Sequence, residues 1–344
     1  MSVRAGPLLK RWAFSTVEKM GVYAICRRVC RGWVAVLCYH GVVPRMRDDR
    51  KDLFTFFVDV SQFSAQLQYI CRKFTPISGS DLCEGLAGRR SWPKNPVVVT
   101  FDDGYRNNAT IAAPILRQMG VPAIFHLATS YVGTHEILWT TEMRLRILDW
   151  PEPELECGFG RFSLGERQGN AKSRLAIAKQ LVERCKRVPT QRRLELLDLL
   201  RSRTPAVPSL FDEQSDAFMD WHEARRLVAQ GFELGSHTVS HSILTSVDGE
   251  TVAAELRESR AVIEEKVGAP CRFLAYPNGG RADYSPEVMR EAERAGYDAA
   301  FAVEDRHAGP VPCRWAIPRF LPHYGLPLEV FRAKVSGVYS FAGR

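Results

Sequence analysis

Two groups of residues in this sequence carry side chains that could do chemistry together. The first is Asp102-Asp103, which follows the run Val97-Val-Val-Thr-Phe101 and precedes Gly104. The β-branched run reads as a buried strand that the glycine ends. Adjacent strand residues point to opposite faces. At a strand end the backbone bends, so both carboxylates could reach one cleft in different roles, one binding a metal and the other handling a proton. The second group is His237 and His241 in Ser236-His-Thr-Val-Ser-His241. Their spacing of four is one turn of helix, which places both imidazoles on one face. Two histidines and one carboxylate, with positions left open for water, form a recurring catalytic site for zinc and iron(II). Taken singly, each group has a plain structural reading, a solvated turn or a helix start with surface histidines. One metal accounts for both together.

The elements that must position these residues alternate. Strands are expected at 34–39, 97–101, 123–128, 232–236, 272–276 and 299–303, and helices at 60–74 (capped by Ser61), 81–87, 110–119, 220–230, 251–267 and 285–295. Such βα alternation argues for a parallel sheet or barrel. His40, Asp102, Asp103, His237 and Tyr276-Pro277 all fall just after strands, at the rim where catalytic residues gather in parallel α/β barrels. The stretch from about 142 to 218 differs. It shows no convincing strand, and 171–187 and 190–203 read as charged amphipathic helices broken by Pro189, Pro205 and Pro208.

Bulk properties bound the function. The chain has 344 residues, 45% of them hydrophobic, enough for a sizeable core. Its net charge of +8 is spread among interleaved acids, which is no nucleic-acid signature and suits an anionic membrane face or acidic glycolipid. The nine cysteines are odd in number and lack C-x-x-C pairs, so they read as reduced, as in a cytoplasmic protein. No run approaches the roughly 20 apolar residues that span a bilayer, and no signal peptide is recognised. The segment 8–31 is expected to be a basic helix with Leu9, Trp12, Val17, Met20 and Ala24 on one side, either packed on the domain or lying on a membrane surface at the inner face.

At these residues the chain resembles the polysaccharide deacetylase family, also called the NodB-homology or carbohydrate esterase 4 family. The resemblance rests on Thr100-Phe-Asp-Asp-Gly-Tyr105, Gly235-Ser-His-Thr-Val-Ser-His241 and Ala275-Tyr-Pro-Asn-Gly279, with smaller echoes at Leu37-Cys-Tyr-His-Gly41 and Ile317-Pro-Arg319. The early Tyr-His segment points to a subgroup that looks circularly rearranged. The resemblance implies a distorted (β/α)7 barrel over 33–140 and 218–335. It leaves 1–32 as a basic helical segment and 141–217 as a helical insertion. It also implies hydrolysis of an N-acetyl group on an amino-sugar polymer or glycolipid. Asp103, His237 and His241 would bind a divalent metal, zinc first, with cobalt, nickel or iron(II) accepting the same ligands. Asp102 would be the general base, and the Tyr105 N–H would face the oxyanion.

An acid must protonate the departing amine. His40 is preferred for this over His323 of Leu321-Pro-His323, and His126 reads as packed core or second shell. Many relatives carry an arginine two residues before the proline of the third motif; here that residue is Ala275, and Arg319 is expected to orient Asp102 instead. Trp139 and Tyr276 are candidates for stacking on a sugar ring, Trp139 alternatively anchoring the insertion on the barrel. The expected substrate is an N-acetylated surface polysaccharide or its lipid-linked precursor. A deformylase or amidase on another amide, or a non-catalytic glycan-binding scaffold, are the alternatives.

Overall fold

The computed structural model describes residues 14, 16–309 and 312–338. Six parallel strands form the central sheet in the order β1 (Ala35–Tyr39), β5 (Pro96–Phe101), β6 (Ala123–Leu127), β9 (Glu233–Ser236), β10 (Phe273–Ala275) and β11 (Ala299–Phe301), with β4 (Thr75–Pro76) beside the start of β5. Two short parallel strands, β2 (Gly41–Val43) and β3 (Phe57–Asp59), pair outside this sheet. All residues of β1, β5 and β6 are buried, as expected where helices cover one face and the barrel interior the other. The covering helices run Val60–Lys73, Gly79–Leu86, Ala113–Gln118, Trp221–Ala229, Gly249–Val267 and Pro286–Arg294. Asp59, not Ser61, caps the first of them, accepting a hydrogen bond from the Gln62 N–H.

The sheet curls, and an irregular segment closes it. The Ile317 and Ala302 N–H groups bond the carbonyls of Ala300 and Ile317, while the Phe320 and Cys38 N–H groups bond those of Val36 and Phe320. The stretch from Ile317 to Phe320 thus bridges β11 to β1. This is the distorted NodB-type barrel that the family resemblance implies.

Period-two alternation stacks the interior in layers. Val36, Val98, Ile124, Phe273, Ala275, Phe301 and Ile317 form a buried apolar floor. Two residues further along their strands come Cys38, Thr100 and His126, and above these His40 and Asp102. The His126 ring enters the interior because its cross-strand partner is Gly235. A Cβ on Gly235 would collide with that ring and come within 2.9 Å of the Phe273 carbonyl oxygen.

The segment after β6 builds its own apolar cluster. Helices Trp139–Asp149, Ala171–Cys185 and Thr190–Arg203 bury Trp139, Met143, Ile147, Leu181, Leu196 and Leu200 together. It also contains an antiparallel hairpin, β7 (Glu154–Cys157) and β8 (Gly160–Ser163), where the sequence shows no convincing strand. Only Leu155 of this hairpin is fully buried, so its polar, short pattern gives no alternation to read.

Near the N-terminus, Leu9 and Trp12 lie outside the described residues. The expected continuous helix breaks at Gly21, whose φ is +78°, before helix Val22–Val29. That helix docks through Tyr23, which donates to the Glu329 carbonyl, and Arg27, which donates to Tyr69 and Ser336. Met20 and Ala24 face outward, so the buried side is not the predicted one. No helix of the described residues is long and apolar enough to cross a membrane. Overpacking beside His126 gives a test of the layered interior: Gly235→Ala should lower the unfolding free energy by about 1–3 kcal/mol, and an unchanged denaturant midpoint would contradict it.

Candidate active site

Asp102 and Asp103 leave β5 in different backbone conformations. Asp102 still donates its N–H to the Tyr39 carbonyl, whereas Asp103 is left-handed with φ of +72°, followed by Gly104 at +87°. That turn sends two adjacent carboxylates to one cleft in different directions.

His237 and His241 meet without a helix. The segment after β9 is a loop with left-handed residues at Thr238 (φ +67°) and His241 (φ +55°). The Ser236 hydroxyl accepts from the Thr238 N–H, and the Glu255 carboxylate accepts from the N–H groups of Val239 and Ser240 and from the Ser240 hydroxyl. The expectation of one helical turn is therefore corrected: loop geometry, braced by a glutamate from the following helix, brings the rings within 4.8 Å between centroids.

Asp103 Oδ1 lies 3.4 Å from His237 Nε2 and 3.3 Å from His241 Nε2. All three groups are buried, and Asp103 Oδ1 has no hydrogen-bond partner. Ligands about 2.1 Å from a tetrahedral ion stand about 3.4 Å apart, so the spacing and the orphaned oxygen both fit a metal. His237 Nδ1 donates to the Ala275 carbonyl at 2.7 Å, which leaves Nε2 as the lone-pair atom facing Asp103. Burial raises the Asp103 pKa, but the two imidazoles outweigh it and hold the carboxyl below its ordinary range.

Asp102 is held apart from this triad. Arg319, fully buried on the closing segment, donates from Nη1 to Oδ1 at 2.8 Å and from Nη2 to Oδ2 at 2.7 Å. Its other donors reach the Thr100 hydroxyl and the Ala302 carbonyl. His126 Nδ1 approaches Asp102 Oδ1 at 2.9 Å and the Phe101 carbonyl at 3.2 Å, so Nδ1 carries the hydrogen. The Cys38 thiol donates to Oδ2 at 3.2 Å. Burial works against ionisation of Asp102, but Arg319, His237 and His126 together hold it well below the usual carboxylate range. Three of its four acceptor directions are taken by strong donors and the fourth by a thiol, a weak one.

The cleft is lined by Asp102, Asp103, His237, His241 and His40, together with the apolar Leu53, Phe54, Phe56 and Phe57 and the polar Thr140, Thr141, Arg144 and Lys186. The His40 ring stacks on Phe56, and its Nδ1 is buried without a partner. Burial lowers its pKa below the ordinary value, against the opposing pull of Asp103 and Asp102. His323 does not line the cleft; its Nδ1 bonds the Tyr324 carbonyl. Tyr105 lines it, and the bonds that tie its strand to Phe218 use the N–H groups of Arg106 and Met219, not its own.

Of the two readings of Trp139 the structure fits the anchoring one, and the stacking expectation for Tyr276 is corrected. Trp139 is 4% exposed, lies in the insertion's apolar cluster beneath the Arg193 guanidinium and donates to the His241 carbonyl at 3.4 Å, so it anchors the insertion on the histidine loop. Tyr276 borders the cleft but is fully buried, stacked on Tyr284 at 4.9 Å with its hydroxyl bonded to the Trp315 carbonyl; it offers no free face to a sugar. Pro277 is buried and off the cleft, where its neighbour Asn278 stands instead. Sequence reasoning missed Cys38, Glu255, Arg144 and Lys186. Only Cys38, two residues before His40 and hence on the same strand face, carried a signal.

The polysaccharide deacetylase family profile matches residues 89–300, more than half of the chain. The chain belongs to the polysaccharide deacetylase family. Among curated deacetylases, the poly-beta-1,6-N-acetyl-D-glucosamine N-deacetylase of Escherichia coli (strain K12) is 30% identical over 106 residues, which is 30% of this chain and only 15% of that relative's length. Among solved structures, the deacetylase PplD of Streptococcus pyogenes in complex with acetate superposes with a TM-score of 0.59 at 15% identity, covering 88% of this chain and 98% of that one. IcaB from Ammonifex degensii gives 0.54 at 18% identity, covering 89% and 97%. These structural likenesses speak to the fold, the deacetylase barrel.

Removing Arg319 strands a buried carboxylate, so Arg319→Ala should cost about 3–5 kcal/mol at neutral pH. Asp102 in that variant has its pKa raised by burial, so it folds more readily when protonated. The deficit should therefore shrink as pH falls towards about 4, the ordinary carboxylate value. Denaturant unfolding across pH checks this, and a deficit independent of pH would mean that only packing was lost.

Proposed function

We propose that this deacetylase hydrolyses the N-acetyl group of an amino sugar in a bacterial surface polysaccharide or its lipid-linked precursor, with a divalent metal. The observation that carries the reading is the division of the carboxylates, Asp103 placed with two histidines and Asp102 clamped beside them by Arg319. The names of its relatives support the substrate class, an N-acetylglucosamine polymer for the Escherichia coli enzyme and bound acetate for the streptococcal one.

Asp103, His237 and His241 are the residues that would hold the ion, a donor set suited first to zinc. When bound, it would polarise the acetyl carbonyl and lower the pKa of water. The protein's own groups do the rest. Asp102 Oδ2, whose second acceptor direction beside the Arg319 bond is taken only by the Cys38 thiol, is the oxygen that yields most readily to a water, and it accepts the proton as that water's oxygen bonds to the carbonyl carbon. The Tyr105 N–H faces the developing oxyanion. Collapse breaks the carbon–nitrogen bond, and His40 delivers a proton to the departing amine. His40 and Asp102 offer atoms within 4.8 Å of each other, so the proton collected by Asp102 can pass to the neutral His40 through one water before His40 gives it to the amine.

Acetate release from N-acetylglucosamine oligomers and lipid-linked N-acetyl sugars tests the reading. Loss of the acid in His40→Ala should lower kcat by about 10²–10⁴, while His323→Ala should stay within a few-fold of wild type. If His323→Ala is the crippled variant, the acid is misassigned. If metal-loaded wild type releases neither acetate nor formate from any amino sugar, the function is wrong.

A further inference from the structure

Arg144 stands on the cleft-facing side of helix Trp139–Asp149, one turn from Thr140 and next to the metal-binding triad in the same cleft. Most of the buried arginines are matched, Arg193 over the Trp139 ring being the exception. Arg50 is paired with Asp212 and Asp216, Arg146 with Glu142, Arg319 with Asp102, and Arg174 donates to four backbone carbonyls. Arg144 makes one hydrogen bond, from Nη1 to the Leu53 carbonyl at 3.1 Å; its Nε is buried without a partner, and no described carboxylate lies within ion-pairing distance. An unpaired, largely desolvated cation is costly unless something arrives to pair with it. Lys186 also lines the cleft, its Nζ held by the Asn278 side chain and ion-paired with Glu183, both at 2.7 Å.

We propose that Arg144, with Lys186 lining the same cleft, forms a subsite for an anionic group of the substrate, a phosphate ester or a carboxylate on the N-acetyl sugar or its neighbour. A guanidinium fork suits either oxyanion through paired N–H···O bonds. The inference rests on the N-deacetylase reading of this cleft and narrows its substrate to a charged glycan. It also gives the insertion a role, since both cations come from it and the barrel supplies neither.

Calorimetric binding separates the sources. N-acetylglucosamine 1-phosphate is the phosphate arm, a glucuronyl-N-acetylglucosamine disaccharide the carboxylate arm, and di-N-acetylchitobiose the neutral control. Metal-loaded wild type and His237→Ala are both titrated, the latter to remove the triad as a competing anion site. In both, one charged ligand should bind about tenfold tighter than the neutral one, the scale of one charge-assisted hydrogen-bonded pair. Arg144→Gln should bring the two within about threefold, and Arg144→Lys should restore part of the preference because the charge remains. Equal affinities for charged and neutral ligands in wild type would overturn the subsite, as would an Arg144→Gln loss that is the same for all three, the mark of a guanidinium that merely props Leu53. Acetate release separates this from the parent reading. Equal turnover of charged and neutral substrates sinks the subsite and leaves the deacetylase, whereas Arg144-dependent charged binding with no amide hydrolysed sinks the deacetylase and leaves the subsite.

Discussion

The ion pair between Arg319 and Asp102 is the interaction on which the rest of this site depends. Both partners are buried, and such a pair returns little net stability once desolvation is counted. Its consequence is positional. With both oxygens in one guanidinium fork, Asp102 cannot swing to the histidines, and the neighbouring carboxylate is the one that meets them. Arg319 also belongs to the segment whose backbone bonds join β11 to β1. Closing the barrel and orienting the proposed base are therefore one structural event.

The strand ends around the cleft are held in unusual conformations. Asp103, Thr238 and His241 are all left-handed without being glycine, at about 1–3 kcal/mol each. Local bonds offset this cost: Glu255 gathers the N–H groups of the histidine loop, Trp139 ties its indole to the same loop, and Gly104 relaxes the turn after Asp103. The insertion is thus coupled to the histidine loop through Trp139 and to the cleft through Thr140, Thr141 and Arg144, on one helix.

Much of this was legible in the sequence because period-two strands and strand-end motifs report burial and placement directly. The six main strands and the gathering of His40, Asp102, Asp103, His237 and His241 follow from such patterns, whereas the pairing of Arg319 with Asp102 follows from the family resemblance, in which Ala275 stands where relatives carry an arginine. What escaped notice has physical reasons. The route by which the histidines converge depends on two left-handed residues that no spacing rule encodes, since four-residue separation also describes a helix. The β7–β8 hairpin buries one side chain and so shows no alternation. Trp139 and Tyr276 have the chemistry of sugar platforms, but exposure is decided by tertiary packing. Arg144 is one of many arginines in the chain, and what marks it, a place in the cleft with no described carboxylate within ion-pairing distance, exists only in three dimensions.

Metal content in the two aspartate variants tests the central division of labour most directly. Elemental analysis of purified protein after zinc loading and dialysis should find about one ion per chain in wild type and in Asp102→Asn, which keeps the triad but releases no acetate, and almost none in Asp103→Asn. Loss of the ion in Asp102→Asn, or its retention at full occupancy in Asp103→Asn, would contradict the account.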